Sequence, residues 1–254
     1  MTQCASRCGR PPSPRFFPLC EHCKTCLVDA PPLCSECGGL HPKIEKCNRP
    51  WMNWPRNLGI FKIWASYLWV GEGYNVFKAW KMRPGRQFDG QILKLSEPMA
   101  KMIKNENIQA WISVPGFGLH VRHHYSSPLP SCRIGAHLSH QTGTPLFEGV
   151  LIKTRQLFYS KQALLNLEGR LQNPLDFYCS QKQLLRLSSI DRLGIVDDVF
   201  TSGRTFQRAA MALRNVGFRG RIYLYALGIR PAIPGGQNPR GLLEQPTRSP
   251  VFKH

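Results

Sequence analysis

The sequence predicts an α/β fold with a mostly parallel sheet, and three adjacent segments carry that prediction. Residues 192–196 have the composition of a buried strand. Across residues 206–216 apolar residues recur at helical spacing, and Gly217 follows where a helix C-cap glycine belongs. Residues 221–227, RIYLYAL, then predict a second strand. A strand, a loop, a helix and a strand in succession form the crossover unit of parallel sheets.

The rest of the chain supplies further elements of the same kind. Strands are predicted within residues 60–70, 110–115 and 149–154. One helix is predicted around Val76, Phe77 and Trp80, and a second around Ile92, Leu93 and Met99, interrupted at Pro98. A third is predicted to begin after an N-cap at Ser160 and to end at Asn173-Pro174, with Leu164, Leu167 and Leu171 on one face.

Charge and composition restrict the class of protein and of partner. Hydrophobic residues make up 42% of the chain, which argues against an intrinsically disordered protein. The formal net charge of +19 favours anionic partners such as phosphates, nucleic acid or a membrane surface. Residues 204–254 carry nine Lys and Arg against one acid, Glu244. This basic end either contacts nucleic acid or is a solvated tail that raises solubility.

The ten cysteines raise the question of cellular compartment. Residues 1–18 lack the apolar stretch of a secretory signal peptide, and no apolar run reaches the roughly 18 residues of a membrane span. We therefore expect a soluble, cytoplasmic protein without membrane insertion. Because thiols stay reduced there, clustered cysteines more often bind metal than form disulfides.

Six cysteines lie within residues 19–50, and their spacing predicts a structural Zn²⁺ site. Two pairs with two intervening residues, Cys20 with Cys23 and Cys34 with Cys37, fit two knuckles of a tetrahedral site. Cys26 competes with Cys20 as a ligand, and Cys47 could also join. The alternative is chance clustering of reduced thiols. The metal would supply folding energy to a stretch with few aliphatic residues.

The composition changes divide the chain into four segments. Residues 1–18 are predicted to be a flexible leader, residues 19–58 a zinc-ribbon domain, residues 59–231 the α/β domain, and residues 232–254 a disordered basic tail. The tail has few residues to bury, so we expect it to be dispensable for folding.

The motif LGIVDDVFTSGRT, residues 193–205, is the strongest functional signal. Asp197 and Asp198 end a strand at the carboxyl edge of the sheet, where open α/β folds bind ligands. The following loop and helix start, Thr201, Ser202, Gly203, Arg204 and Thr205, offer hydroxyls and backbone N–H groups to a phosphate. The carboxylates suit sugar hydroxyls, directly or through Mg²⁺. The alternative is a tight turn in which Asp198 and Thr201 only cap the helix.

This motif resembles the phosphoribosyl-pyrophosphate (PRPP) signature of type I phosphoribosyltransferases. The resemblance implies that Asp197 and Asp198 bind the ribose hydroxyls and that Thr201 through Thr205 bind the 5′-phosphate. It also implies a type I phosphoribosyltransferase-like sheet flanked by helices and Mg²⁺ accompanying PRPP.

A zinc ribbon followed by such a domain resembles the ComF family of competence-associated proteins. Further residues agree with that family's patterns: Gln162, Leu165, Arg170, Asn173 and Phe177, and the lysine-bearing segment Phe77-Lys78-x2-Lys81. Where the family carries R-G-F-N-Q after a Val-Pro strand end, this chain has Val114-Pro115 but an altered loop over residues 116–131. Because that loop cradles pyrophosphate in phosphoribosyltransferases, the departure leaves turnover open. His120, His123 and His124 in this loop either contact phosphate or are solvated.

Three functions follow as hypotheses. The first is a ComF-like phosphoribosyltransferase-fold protein that binds PRPP or a nucleotide-like ligand and supports DNA uptake in natural transformation. The second is a non-catalytic zinc-ribbon module that binds single-stranded DNA or a partner ATPase, such as a competence helicase. The third, a salvage enzyme acting on a free base, is weaker because no base-recognition segment is evident. No catalytic nucleophile or acceptor can be named.

Overall fold

A computed structural model describes residues 19–30, 33, 54–69, 71–82, 90, 93, 97–115, 130–153 and 177–230. Its helices are α1 (Glu21–Thr25), α2 (Trp54–Asn57), α3 (Gly71–Met82), α4 (Glu97–Lys104), α5 (Pro130–Thr142), α6 (Gln181–Leu185) and α7 (Arg204–Asn215). Its strands are β1 (Val28–Asp29), β2 (Ile60–Leu68), β3 (Ala110–Ser113), β4 (Ile152–Lys153), β5 (Phe177–Tyr178), β6 (Arg192–Phe200) and β7 (Arg221–Ile229).

In the described part of the chain, the central sheet has five strands in the order β1-β2-β7-β6-β3. The pairs β2 with β7, β7 with β6, and β6 with β3 are parallel, and β1 alone pairs antiparallel at one edge. A separate two-stranded antiparallel sheet joins β4 to β5. These findings confirm the prediction of an α/β fold with a mostly parallel sheet flanked by helices.

Both faces of the central sheet are covered by apolar side chains. Successive β6 residues Ile195 and Val196 belong to different hydrophobic clusters, as expected when side chains alternate across a strand. One cluster contains α7 and the residues around β4, β5 and α6. The other contains residues of α1, α3, α4 and α5. Burial on both faces explains why β2, β6 and β7 are nearly continuous apolar runs.

The structure refines the predicted element boundaries. The helix over residues 206–216 is confirmed as α7, and Gly217 has the positive φ of 101° expected of a C-terminal glycine. Pro98 does not interrupt a helix, because α4 begins at Glu97 and places Pro98 in its first turn, where a missing N–H costs nothing. The strand expected at 149–154 is shortened to Ile152–Lys153. The helix expected from Ser160 lies outside the described residues.

The first described segment, residues 19–30, packs onto the central sheet. Val28 pairs with Leu68 and Asp29 with Tyr67, so β1 extends the sheet beyond β2. Leu19, Cys20 and Cys23 are buried in the same hydrophobic cluster as α3. None of the helices in the described part of the chain is long and apolar enough to cross a membrane.

Candidate ligand site at the carboxyl end of β6

The carboxyl ends of three neighbouring parallel strands are aligned at one edge of the sheet. The Trp69 N–H, just after β2, donates to the Ile229 carbonyl of β7 at 2.7 Å. The Arg230 N–H, just after β7, donates to the Phe200 carbonyl of β6 at 2.8 Å. The predicted acids therefore lie near the end of β6, at the sheet edge where open α/β folds bind ligands.

Asp197 and Asp198, the acid pair, are still part of β6 rather than of the loop that follows. Both residues are partly buried. The Asp198 N–H donates to Asp197 Oδ1 at 2.8 Å, which fixes the Asp197 carboxylate against the backbone. The strand thus presents two adjacent carboxylates in defined positions.

Lys81, near the C-terminal end of α3, forms an ion pair with the acid pair. Its Nζ lies 2.5 Å from Asp198 Oδ2, with side chains 33% and 14% exposed respectively. The same ammonium lies 5.5 Å from the centre of the Trp69 ring. That ring is buried and stacked on Phe77, also of α3. An aromatic face and a carboxylate together hold the lysine charge at this edge of the sheet.

Lys153 of β4 supplies a second positive charge to the acid pair. Burial lowers the pKa of Lys153 to about 8, and the attraction of Asp197 partly opposes that shift. Burial also raises the pKa of Asp197 to about 8, with the neighbouring Asp198 charge adding to the effect. The Asp198 N–H and the charges of Lys81 and Lys153 act in the opposite direction. Two positive charges therefore oppose the acids: Lys81, in contact with Asp198, and Lys153, which acts on Asp197.

The loop after the acids leads directly into a helix whose N-terminus lacks a side-chain cap. Residues Thr201, Ser202 and Gly203 separate β6 from α7. Gly203 is the N-cap residue, with φ 72° and ψ −3°, and no side chain makes a capping hydrogen bond. The alternative in which Asp198 and Thr201 cap the helix is therefore wrong. Gly203 adopts a left-handed conformation that other residues rarely take, so its position in the motif has a physical reason.

In the first turn of α7, the N–H groups of Thr205 and Phe206 have no acceptor within the helix. The N–H groups that begin an α-helix have no intrahelical partner, and the helix dipole favours negative charge there. Ser202 is buried, and its Oγ accepts the Arg204 N–H at 3.4 Å. The Arg204 guanidinium donates to Gln207 Oε1 at 3.1 Å, along the helix. Thr201 and Thr205 are partly buried on either side of Gly203.

All seven residues that the motif predicts as a ligand site lie within the described residues, in β6, in the loop after it and in the first turn of α7. Carboxylate oxygens, hydroxyls and backbone N–H groups follow one another within residues 197–205. Carboxylates accept hydrogen bonds from a diol, and the start of a helix suits a phosphate. The arrangement can hold a phosphorylated sugar, with the diol and phosphate ends on consecutive elements.

Sequence reasoning missed Lys153 and Trp69 as parts of this site, and it noted Lys81 only within a lysine-bearing segment. Lys153 ends the apolar run Val150, Leu151 and Ile152, just as Asp197 ends the apolar run of β6. A charged residue closing a buried-type strand was the available signal. Which charged residues meet at the sheet edge depended on the packing of β4 and α3, which periodicity does not reveal.

Two of the four predicted zinc ligands, Cys20 and Cys23, lie within the described residues. Cys20 immediately precedes α1 and Cys23 lies within it, and both are buried. The Cys23 N–H donates to Cys20 Sγ at 3.4 Å. Next to them, Cys26 Sγ lies 3.7 Å from His22 Nε2. Cys34, Cys37 and Cys47 lie outside the described residues. Within the described ranges no three His, Cys, Asp or Glu side chains are grouped as a metal site.

Most of the other residues that the sequence analysis singled out lie outside the described residues. The altered loop with His120, His123 and His124 lies outside the described residues, apart from its last two positions in α5. Gln162, Leu165, Arg170 and Asn173 also lie outside them, whereas Phe177 belongs to β5.

Comparison with known proteins gives a distant structural likeness. The chain matches no protein-family model. It also matches no curated protein. It is similar to the crystal structure of a purine phosphoribosyltransferase from Pyrococcus horikoshii OT3, with 15% sequence identity and a TM-score of 0.30. That likeness covers 56% of this chain and 89% of the other chain. A likeness this distant says nothing about activity or ligand.

Proposed function

We propose that the chain is a type I phosphoribosyltransferase-like protein that binds PRPP, or a nucleotide-like ligand with a ribose 5-phosphate group, at the carboxyl end of β6. The observation that carries this proposal is the short distance in sequence between two complementary sites. The acid pair lies in β6, which ends at Phe200, and α7 begins at Arg204 with no side-chain cap. Each part suits a different portion of a ribose 5-phosphate.

The charges favour a sugar phosphate over a bare phosphate ion. Two carboxylates would repel an inorganic phosphate that approached them, whereas sugar hydroxyls donate hydrogen bonds to them. Lys81 and Lys153 offset part of the acid charge, so a phosphate bound at the start of α7 is repelled less than a phosphate placed against the carboxylates themselves. The site should therefore select ligands that carry a diol and a phosphate together.

Calorimetric titration with PRPP tests this proposal. At pH 9, where Asp197 is ionised, the double variant Asp197→Asn, Asp198→Asn should bind at least a hundredfold more weakly than the wild type, because two charged hydrogen bonds contribute about 3–6 kcal/mol. Asp191→Asn is the matched control, since Asp191 is exposed and lies just before the other end of β6. Equal affinities of wild type and double variant, or no binding by the wild type, would contradict the proposal.

The resemblance to the ComF family extends the proposal to a role in DNA uptake during natural transformation. Any turnover would displace pyrophosphate from the anomeric carbon of PRPP by a nitrogen nucleophile, with positioning and charge stabilisation as the main contributions. Pyrophosphate release measured with candidate acceptors tests for this activity. Steeply salt-dependent binding of single-stranded DNA without PRPP binding would instead favour the non-catalytic module that binds DNA or a partner ATPase.

A further inference from the structure

The acid pair already has a cation, and that cation belongs to the protein. Lys81 Nζ lies 2.5 Å from Asp198 Oδ2, and it approaches from α3, which packs on one face of the sheet. Lys153 attracts Asp197 from β4, which follows Val150 and Leu151 in the hydrophobic cluster of the other face. α3 thus brings an ammonium group into contact with Asp198, and Lys153 adds an attracting charge that acts on Asp197.

A divalent metal ion does not fit this arrangement. Mg²⁺ requires near-octahedral oxygen coordination and usually keeps several waters, which needs space on the carboxylate. Asp198 Oδ2 is in contact with an ammonium, and Asp197 Oδ1 accepts the Asp198 N–H. A metal ion on either carboxylate would stand within a few ångströms of the Lys81 charge and be repelled by it.

A diol, in contrast, can bind with the lysine in place. An ionised carboxylate has about four positions that accept hydrogen bonds, and Lys81 and the Asp198 N–H each use one position on one carboxylate. Acceptor positions remain on both residues. Hydroxyl groups carry no charge, so they are not repelled by the ammonium.

We propose that Lys81 is the resident cation of the acid pair, which excludes a divalent metal ion from Asp197 and Asp198 while leaving both carboxylates able to accept the hydroxyls of a sugar. The part of this proposal that concerns the sugar rests on the proposed function. Any Mg²⁺ that accompanies PRPP is then held by the phosphates of the ligand and not by these acids. Trp69 contributes by holding Lys81 at the sheet edge through its ring.

Direct binding of Mn²⁺, used as a paramagnetic substitute for Mg²⁺, tests the exclusion in the full-length protein without any ligand. Lys81→Met should bind one Mn²⁺ at least tenfold more tightly than the wild type, measured by electron paramagnetic resonance. Lys78→Met is the matched control, because Lys78 is an exposed lysine of the same helix. Lys81→Arg should behave like the wild type, since it keeps the charge. Adding Asp198→Asn to Lys81→Met should abolish the new site.

The same measurement can overturn the proposal. Tight Mn²⁺ binding by the wild type that Asp198→Asn removes would show that Lys81 does not exclude the metal. If Lys81→Met binds Mn²⁺ no more tightly than the wild type, the proposal is also contradicted, provided that the circular dichroism and melting temperature of the variant show that it is folded.

Titration with ribose 5-phosphate separates this proposal from the proposed function. We expect the wild type to bind it equally well in EDTA and in Mg²⁺. A gain of tenfold or more with Mg²⁺ would contradict the role of Lys81. If ribose 5-phosphate and PRPP both fail to bind, the proposed function fails, and the Mn²⁺ result still decides whether Lys81 excludes metal.

Discussion

The backbone N–H of Asp198 donates to the carboxylate of the preceding residue, Asp197, at 2.8 Å. This bond holds Asp197 beside a second carboxylate in a partly buried position, where desolvation and the Asp198 charge raise the pKa of Asp197 to about 8. An acid whose pKa is raised on folding opposes folding once it is ionised. An acid that opposes folding in this way is consistent with the ligand-binding role that we propose for Asp197.

Asp197→Asn should therefore stabilise the free protein at neutral and alkaline pH. Asn keeps an acceptor for the Asp198 N–H but carries no charge. Because Asp197 binds its proton more tightly in the folded state, wild-type stability falls as pH rises from about 4 to about 8. The advantage of Asn should grow over this window and then level off. Melting curves should show a gain of at least about 2 °C at pH 9.

Asp191→Asn serves as the control for that experiment, because Asp191 is exposed and its carboxylate should not sense the acid pair. It should leave the dependence of melting temperature on pH unchanged. A constant difference between Asp197→Asn and wild type from pH 4 to pH 9 would show that ionisation of Asp197 does not affect folding.

Arg214 should be important for stability through its guanidinium geometry. Its Nε and two terminal nitrogens donate to carbonyls of two segments, at 2.7–3.4 Å; the acceptors are Leu58, Gly59, Phe218 and Gly220. The single ammonium of Lys cannot reach all four carbonyls. Arg214→Lys should lower the free energy of unfolding by about 2–4 kcal/mol, measured by urea denaturation. Arg219→Lys, at an exposed neighbouring position, should have little effect. Similar losses in both variants would refute this role.

Gly194 of β6 should not accept any side chain. A methyl group at Gly194 would overlap the buried ring of Trp111, which lies opposite it in β3. Gly194→Ala should cost about 1–3 kcal/mol, because the packed core must shift to admit the methyl group. Gly90→Ala is the control, since no atom of the described residues lies within 4 Å of a methyl group built there. Urea denaturation compares the two variants, and equal stability would contradict the packing argument.

Local patterns predicted much of the fold, because some elements have strong signals of their own. The apolar repeat of α7 and the glycine after it required no knowledge of the rest of the molecule, and neither did the nearly continuous apolar run of β2. The acids of the candidate site were predictable for the same reason: they follow the buried residues 193–196 of β6 and precede a hydroxyl-rich loop.

Other features depend on tertiary packing and could not be predicted. β1 has only two residues, Val28 and Asp29, which is too few for any periodicity, and it forms because Leu68 and Tyr67 offer an open strand edge. Lys81 reaches Asp198 across more than a hundred residues of sequence. Its partner could be identified only once the packing of α3 against the sheet was known.

Zinc binding remains a prediction. Cys20 is one of the ligands that the cysteine spacing predicts, and the structure gives its sulfur a hydrogen-bond donor. The donation of the Cys23 N–H toward Cys20 Sγ is a contact that would stabilise a thiolate at Cys20. We expect about one equivalent of Zn²⁺ in protein purified without chelator, and its loss in Cys20→Ser and in Cys34→Ser. Because α1 and β1 pack on β2 and α3, loss of the metal should also lower the melting temperature of the whole domain. Cys132→Ser, on α5, should retain the metal. Zinc-free wild-type protein, or equal loss of zinc in Cys132→Ser, would rule out this ligand set.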